Sequence, residues 1–424
     1  MAKKKTTQKK KKVFLFILIF ILLICLSLGL LFVYFEIKNN GTNNPSSSHD
    51  STQENSSSHD STPSEIISDE LTIKFLTLGN KLTGDSTYIK AGDVDILIDA
   101  GSRTSSTDTL INHIDEYCTD GKLEYVIATH AHQDHIACFA TYDNDGIFDT
   151  YEIGTLIDFS FANTTSKTYK NYIAKRDQMV KNGEMIHHTA DYYFSDNEPN
   201  ENNHIQLTDT ITMDVLYNPY YFTKTSDEND YSVSVMINQG ENHFMFTGDL
   251  EKSGEEGMAS YYEKRGGLPH VKVFKGGHHG SKTSSNEVLL KQITPEICCV
   301  CCCAGSNEYT DNTYNQFPTQ DFINRIAKYT TNVFVTTTIK YDSKGYQTDE
   351  FEDLNGVITV HSDSTGKVKV KGSNNTVKLK DSEWFNRKIM HQRHTSSGPV
   401  DNGLHLCRTW PNTTSMYNDV EIME

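Results

Sequence analysis

"THAHQDH", residues 129–135, follows directly on the apolar run "LEYVIA" at 123–128. Leu, Tyr, Val and Ile in such a run predict a strand. Three histidines and an aspartate therefore stand where that strand ends, projecting from a rigid edge rather than into a core. Neutral imidazoles and carboxylates are the ligands that first-row ions such as zinc and manganese accept. The spacing lets His130 and His132 share one ion while Asp134 and His135 turn towards a second. Two ions about 3.5–4 Å apart clamp a water between them and lower its pKa towards neutrality. The chain of 424 residues has 17 histidines, so three within six positions beside an aspartate is no accident of composition.

The same device recurs further along. "FMFTGDL" (244–250) ends a predicted strand on Asp249, and "VFKGGHHGS" (273–281) ends another on His278 and His279. A two-metal site needs a carboxylate that bridges the ions and a further ligand that closes the second, and these stretches supply both. "ILIDAG" (96–101) ends a third strand on Asp99, a carboxylate suited to hold the far nitrogen of a ligand histidine.

From residue 70 the texture is globular. "LTIKFLTL" (71–78), "STYIKA" (86–91) and "VDILIDAG" (94–101) predict three strands separated by Gly-Asn and Gly-Asp turns. "TDTLINHIDEYC" (107–118) sets Leu110, Ile111, Ile114 and Cys118 on one helical face. Strands are expected again at 122–130, 151–160, 205–218, 231–238, 243–250, 270–277, 295–303, 332–338, 356–362 and 367–372. Helices are expected near 166–181, over 251–265, at 285–293 and at 321–329. Strands come first in antiparallel groups and then alternate with helices, twice over. That pattern predicts an α/β (α+β) architecture of two sheets face to face with helices outside.

Four of these stretches, in this order, resemble one known family: "GDSTYIKAGDVDILIDAGS" (84–102), "THAHQDH", "NDYSVSVMI" (229–237) with "FMFTGDL", and "KGGHHGSKTSS" (275–285). The chain resembles the metallo-β-lactamase fold superfamily over roughly residues 70–340. Within it, the chain is most similar to the extracellular hydrolase domain of ComEC competence proteins. The resemblance implies a four-layer αββα sandwich with a two-metal site at one end of the sheets. It implies His130 and His132 as ligands of the first metal, Asp134 and His135 of the second, Asp249 as the bridge and His279 as the last ligand. His278 would then face the substrate as a phosphate-oxygen donor or general acid, and Asp134 and His278 are the catalytic candidates. Zinc is the first choice of metal, and manganese also fits. Ser281 and Lys282 follow at an expected helix N-terminus, which suits a substrate anion, although Lys282 also reads as a solvated lysine.

The chain departs from the family in two places. Many members carry a third histidine for the first metal. The candidates here, His187, His188 and His204, follow no convincing strand. ComEC-like chains often carry an N-x-Y-x-H-P stretch. "NEYTDNTYNQFP" keeps Asn307, Tyr309 and Pro318 but has no histidine, which leaves substrate contacts there open.

The flanks speak to location. "MAKKKTTQKKKK" (1–12) carries seven lysines and precedes an uncharged apolar run from Val13 to Phe35. Such a run is long enough to cross a bilayer of about 30 Å as a helix, and the lysines favour a cytoplasmic N-terminus. The rival readings are a cleaved signal peptide and a lipid-anchored Cys25. A Ser-rich repeat, "SSSHDSTQEN" and "SSSHDSTPSE", cannot build a core. The plan is a basic tail at 1–12, an anchor at 13–35, a disordered linker at 36–67, a hydrolase domain at 68–375 and a polar tail at 376–424, expected to be poorly ordered. "CCVCCC" (298–303) lacks metal-binding spacing and reads as a buried strand, while pairing between Cys118 and Cys138 stays open.

Charge limits the substrate. The chain carries −17, and residues 1–38 contribute +7, leaving −24 for the exported part. So acidic a surface repels nucleic acid except through a local basic patch or bound metal. The leading expectation is a single-pass, membrane-anchored extracellular phosphodiesterase of ComEC type, with nucleic acid or a cell-wall polymer as the phosphate ester. One alternative is a phosphorylcholine esterase of cell-wall polymers, for which the aromatic loop Tyr217, Tyr220, Tyr221 and Phe222 could hold choline. The other is a surface protein that holds metal without catalysis.

Overall fold

The antiparallel strands expected at the start of the globular region form in the computed structural model, which describes residues 69–142, 145–395, 398–406 and 408–423. β1 (Leu71–Phe75), β2 (Thr87–Ala91) and β3 (Val94–Ile98) pair antiparallel in chain order. β4 (Lys122–Ile127), β5 (Glu152–Asp158) and β6 (Ile186–Thr189) then add in parallel. Parallel neighbours need crossover connections, and helices Thr107–Asp115 and Lys167–Asn182 lie in two of them. β6 was not foreseen, because "IHHT" is short and polar.

A small ribbon, β7 (Phe194–Ser195) with β8 (Glu198–Pro199), leads to the second sheet. There β9 (His204–Gln206), β10 (Ile211–Val215), β11 (Val235–Gln239) and β12 (Asn242–Phe246) run antiparallel. β13 (Val273–Lys275), β14 (Ile297–Ala304) and β15 (Val333–Tyr341) follow in parallel, and β16 (Gln347–Asp353) closes the sheet antiparallel. The chain then returns to the first sheet. β17 (Ile358–Ser362) pairs with β1, and β18 (Val368–Gly372) pairs with β17. β19 (Lys388–Thr395) and β20 (Gly398–Leu406) pair with each other, and β21 (Glu421–Ile422) runs parallel to β18.

The two sheets share a core, in which the Phe75 and Phe246 rings lie 6.3 Å apart. Leu110, Ile114 and Tyr172 of the first two helices pack with the first sheet. Met258, Leu290 and Phe322, from helices Lys252–Glu263, Glu287–Ile293 and Gln320–Ile326, pack with the second. β14 divides these regions. Cys299 and Cys301 face the core shared by the sheets, whereas Cys298, Val300 and Cys302 face the helices. A strand buried on both faces reads as a continuous apolar run, and here cysteine supplies that run. Cys118 and Cys138 are both buried and free, so they do not pair.

Several expectations change, and the strand expected over 205–218 is instead the antiparallel pair β9 and β10. Residues 231–238 do not form one strand: Asn229–Tyr231 is a 3-10 turn, and β11 starts at Val235. The helix after the double histidine starts at Glu287, so Ser281 and Lys282 lie in a turn before it and not at its N-terminus. Parts of the tail expected to be poorly ordered pack at its two ends. Leu379, Trp384, Phe385 and Arg408 are buried, and the Arg408 guanidinium lies 4.2 Å from the centre of the Trp384 ring. Sparse aromatic anchors and a cation–π contact hold this segment, and neither leaves a periodic pattern to read. The expected tail, anchor and linker at 1–67 lie outside the described residues. Among the described residues no helix is long and apolar enough to cross a membrane.

Candidate metal centre

The parallel strands of both sheets bring their carboxyl ends to one place, the usual position for a site in such sheets. His130 follows β4, and His132 caps a helical turn, Gln133–Ile136, that carries Asp134 and His135. Asp99 follows β3, Asp249 follows β12, and His278 and His279 follow β13.

The side chains converge. His130 Nε2 lies 3.0 Å from His132 Nδ1. His135 Nε2 lies 3.1 Å from Asp249 Oδ2, and His279 Nε2 lies 3.2 Å from that oxygen and 3.6 Å from Asp134 Oδ2. Asp99 stands behind: His135 Nδ1 donates to its Oδ2 at 2.7 Å, and Thr129 N–H donates to its Oδ1 at 2.8 Å. The outer nitrogen of His279 donates to the Cys301 carbonyl at 3.0 Å. Both hydrogen bonds leave the inner nitrogens turned to Asp249. His279 Nε2 and Asp249 Oδ1 are buried without a hydrogen-bond partner, the contact to Asp249 being off line. Orphaned buried donors and acceptors are costly unless something else occupies them. Imidazole nitrogens and carboxylate oxygens in this arrangement fit divalent ions.

Charge gives the same demand. Burial opposes ionisation of Asp249, yet His135, His279 and His278 hold its carboxyl well below the usual range. Burial likewise opposes charge on His135 and His279. Asp249 and Asp99 lift His135 well above an ordinary histidine, while Asp249 and Asp85 do the same for His279. Burial and the nearby His135 push His130 well below. The carboxylates thus draw protons onto two histidines, which a metal ion must displace. Zinc uptake at pH 7 is expected to release protons and to strengthen as pH rises. Calorimetric titration in two buffers of different ionisation heat checks this: equal apparent enthalpies would show that no proton leaves.

His278 and His279 sit in the left-handed region, with φ of 48° and 54°. Two such residues in succession are strained and must be held. His278 N–H donates to the Gly248 carbonyl at 3.1 Å, and Gly277 N–H donates to Ser285 Oγ at 3.0 Å. Beyond them the turn is clamped on both sides. The Glu255 carboxylate accepts from the backbone N–H groups of Ser285 and Asn286, and the Arg325 guanidinium donates to the carbonyls of Ser281, Lys282, Ser284 and Ser285. The strain turns His279 inward, 1% exposed, and leaves His278 at the cleft, its Nε2 3.7 Å from Asp249.

The cleft over the cluster holds about 640 Å³, and His132, Asp134, Asp249 and His278 lie in its floor. Ser281 and Lys282 line it, as do Arg103, Tyr309 and Phe317. Tyr309, whose role the sequence left open, donates its hydroxyl to Asp134 Oδ2 at 3.1 Å. The aromatic loop considered for choline does not line the cleft. Tyr217 stacks on Tyr261 at 3.9 Å and Tyr221 is buried, so these rings serve packing. His187, His188 and His204 stay away from the cluster: His187 meets Asp158, His188 stacks on Tyr192 and His204 meets Asp214. Asp85 and Lys275 were missed. Asp85 joins His135, Asp249 and His279 in one group of potential ligand atoms. In sequence it looks like a turn residue, and Lys275 looks like a strand-end lysine.

Comparison with known proteins places this geometry among relatives. The chain matches the metallo-beta-lactamase superfamily over residues 79–303, more than half its length. It is 36% identical over 73 residues to "Recombination protein 2" of Haemophilus influenzae, covering 17% of this chain and 8% of that protein. It is 35% identical over 103 residues to "Competence protein ComA" of Neisseria gonorrhoeae, covering 24% of this chain and 14% of that one. It is 31% identical over 124 residues to "ComE operon protein 3" of Bacillus subtilis, covering 28% and 14%. The matches therefore span only a small part of each relative.

Proposed function

We propose, because the chain belongs to the metallo-beta-lactamase superfamily, that it is a metal-dependent hydrolase of phosphodiesters with two divalent ions at this cluster. The observation that carries the reading is the meeting of Asp249 Oδ2 with the inner nitrogens of His135 and His279, where His279 Nε2 and the other Asp249 oxygen are buried without a hydrogen-bond partner. In this reading the fold is the four-layer αββα sandwich, His130 and His132 would hold one ion, and Asp134, His135 and His279 would hold the other. Asp249 would complete the ligand set, and zinc or manganese fits these donors. Two divalent ions there would polarise a phosphate ester and make an adjoining water a better nucleophile.

The chain's own residues do the rest. Asp99 holds His135 by its outer nitrogen, and the Cys301 carbonyl holds His279. His278, at the cleft and within 3.3 Å of Glu251, is placed to give a proton to a leaving oxygen. Lys282 lines the cleft and favours phosphate oxygens, while Arg103, which also lines it, is paired with Glu308. Lys282 is then the cation of the lining with no carboxylate paired to it among the described residues, so in this reading the substrate is held at the reacting phosphate more than along a polymer. Nucleic acid and phosphodiester-linked wall polymers both meet that description. The uncharged run at 13–35 behind seven lysines supports a membrane anchor with the hydrolase outside.

Elemental analysis of the purified full-length chain, with turnover of a chromogenic phosphodiester, tests the reading. Close to two metals per chain is expected, falling in His132→Ala. Turnover should vanish with a chelator and return with zinc or manganese. Metal content near zero after both ions are offered would overturn it.

A further inference from the structure

Asp85 and Lys275 lie behind the cluster, and neither lines the cleft. Both are buried, at 1% and 2% exposure. Lys275 Nζ is 2.5 Å from Asp85 Oδ2 and donates to the Gly248 carbonyl at 3.4 Å. Asp85 Oδ1 lies 3.5 Å from Nδ1 of His279, and Oδ2 lies 3.8 Å from Nδ1 of His135. One carboxylate thus reaches the outer nitrogens of two histidines that come from different sheets. Lys275 ends β13 in the second sheet, and Asp85 precedes β2 in the first, so the pair also ties the sheets together at the site.

Stability alone gives a weak reason for this pair. Taking two charges out of water is costly, and an apolar pair of similar volume is often as stable. Its position gives a better one. The outer partner of a ligand histidine fixes the ring's tautomer and orientation and raises its basicity. Asp99 and the Cys301 carbonyl provide the direct hydrogen bonds, and Asp85 adds a negative charge shared by both rings. Lys275 balances that charge with an ammonium fixed in the protein, in a place where a loose cation would otherwise be drawn.

We propose that Asp85 and Lys275 are positioning residues for the metal centre: Asp85 orients His135 and His279 through their outer nitrogens, and Lys275 holds and balances Asp85. The proposal rests on the metal reading of the cluster and not on the choice of substrate.

The test removes both charges at once, so that neither is left buried alone. Asp85→Asn combined with Lys275→Met is made in the full-length chain. Its melting temperature without metal, its zinc affinity by chelator competition and its phosphodiester turnover are compared with wild type. The metal-free double variant is expected to melt within a few degrees of wild type and to bind zinc about 10–100-fold more weakly. Wild-type zinc affinity in the folded double variant would overturn the proposal and leave the pair as a strut. Should the double variant not fold, Asp85→Glu keeps the charge and displaces it. Weaker zinc at an unchanged melting temperature supports the proposal there, and unchanged affinity overturns it. Zinc uptake by wild type without turnover sinks the phosphodiesterase reading alone. A wild type that takes up neither zinc nor manganese overturns both.

Discussion

Asp249→Ala is expected to lower kcat/KM for a phosphodiester by about 10³-fold or more, because metal centres supply several kcal/mol of transition-state stabilisation. The same change should strip the chain of metal. Asp249 Oδ2 lies within 4 Å of three histidine nitrogens, on His135, His278 and His279. Its backbone N–H donates to Ser232 Oγ at 3.0 Å, which fixes where the carboxylate points. Asp99 and Asp85 cannot take its place, since they approach the outer nitrogens. Asp249→Asn keeps the shape and removes the charge, and it should fail almost as fully. Metal content by elemental analysis beside turnover decides the matter: two metals retained in Asp249→Ala would exclude Asp249 as a required ligand.

Gly101→Ala should be the most damaging single methyl group in the site. A Cβ there would lie 1.6 Å from the Asp134 carbonyl oxygen, 2.0 Å from its carbon and 2.6 Å from the His135 nitrogen. Those atoms belong to backbone, which cannot swing aside. The neighbouring chain is tied as well, with Gly101 N–H donating to the Asp85 carbonyl and Asp85 N–H to that of Asp134, each at 3.0 Å. The Asp134–His135 turn must therefore move. Overpacking usually costs about 1–3 kcal/mol, and a clash with backbone belongs at the upper end. A melting temperature lowered by several degrees is expected, with loss of metal from the fraction that still folds. A thermal melt and a metal assay check this, and wild-type values in both would show that the turn shifts freely.

The site was legible where its residues follow apolar strands at short spacing. His130, His132, Asp134 and His135 fall within one turn of chain, and Asp249 and His279 each end a strand. Their grouping needs only the rule that parallel strands present their carboxyl ends together. Asp85 and Lys275 were not legible, because their meeting depends on how two sheets are stacked and not on any local pattern. Tyr309 was visible as a residue, but its reach to Asp134 depends on the course of a loop. The left-handed backbone at His278 and His279 is similarly hidden, since neither residue type announces it. The fold followed the same division. Alternation and apolar runs marked most strands, whereas the aromatic and arginine contacts beyond Leu379 carried no period.

β14 places five thiols within six residues, all of them buried between the second sheet's helices and the core shared with the first. Burial pushes the thiols of Cys299 and Cys301 well above an ordinary cysteine and that of Cys303 up to about 12, so the finished strand is chemically quiet. The unfinished strand is not. Until β13 and β15 close on either side, the same thiols are solvated and crowded, open to oxidation and to wrong pairing with one another. Parallel strands joined through long connections close late. Were the chain exported to an oxidising compartment, as the proposed anchor implies, the second sheet would have to assemble before these thiols react.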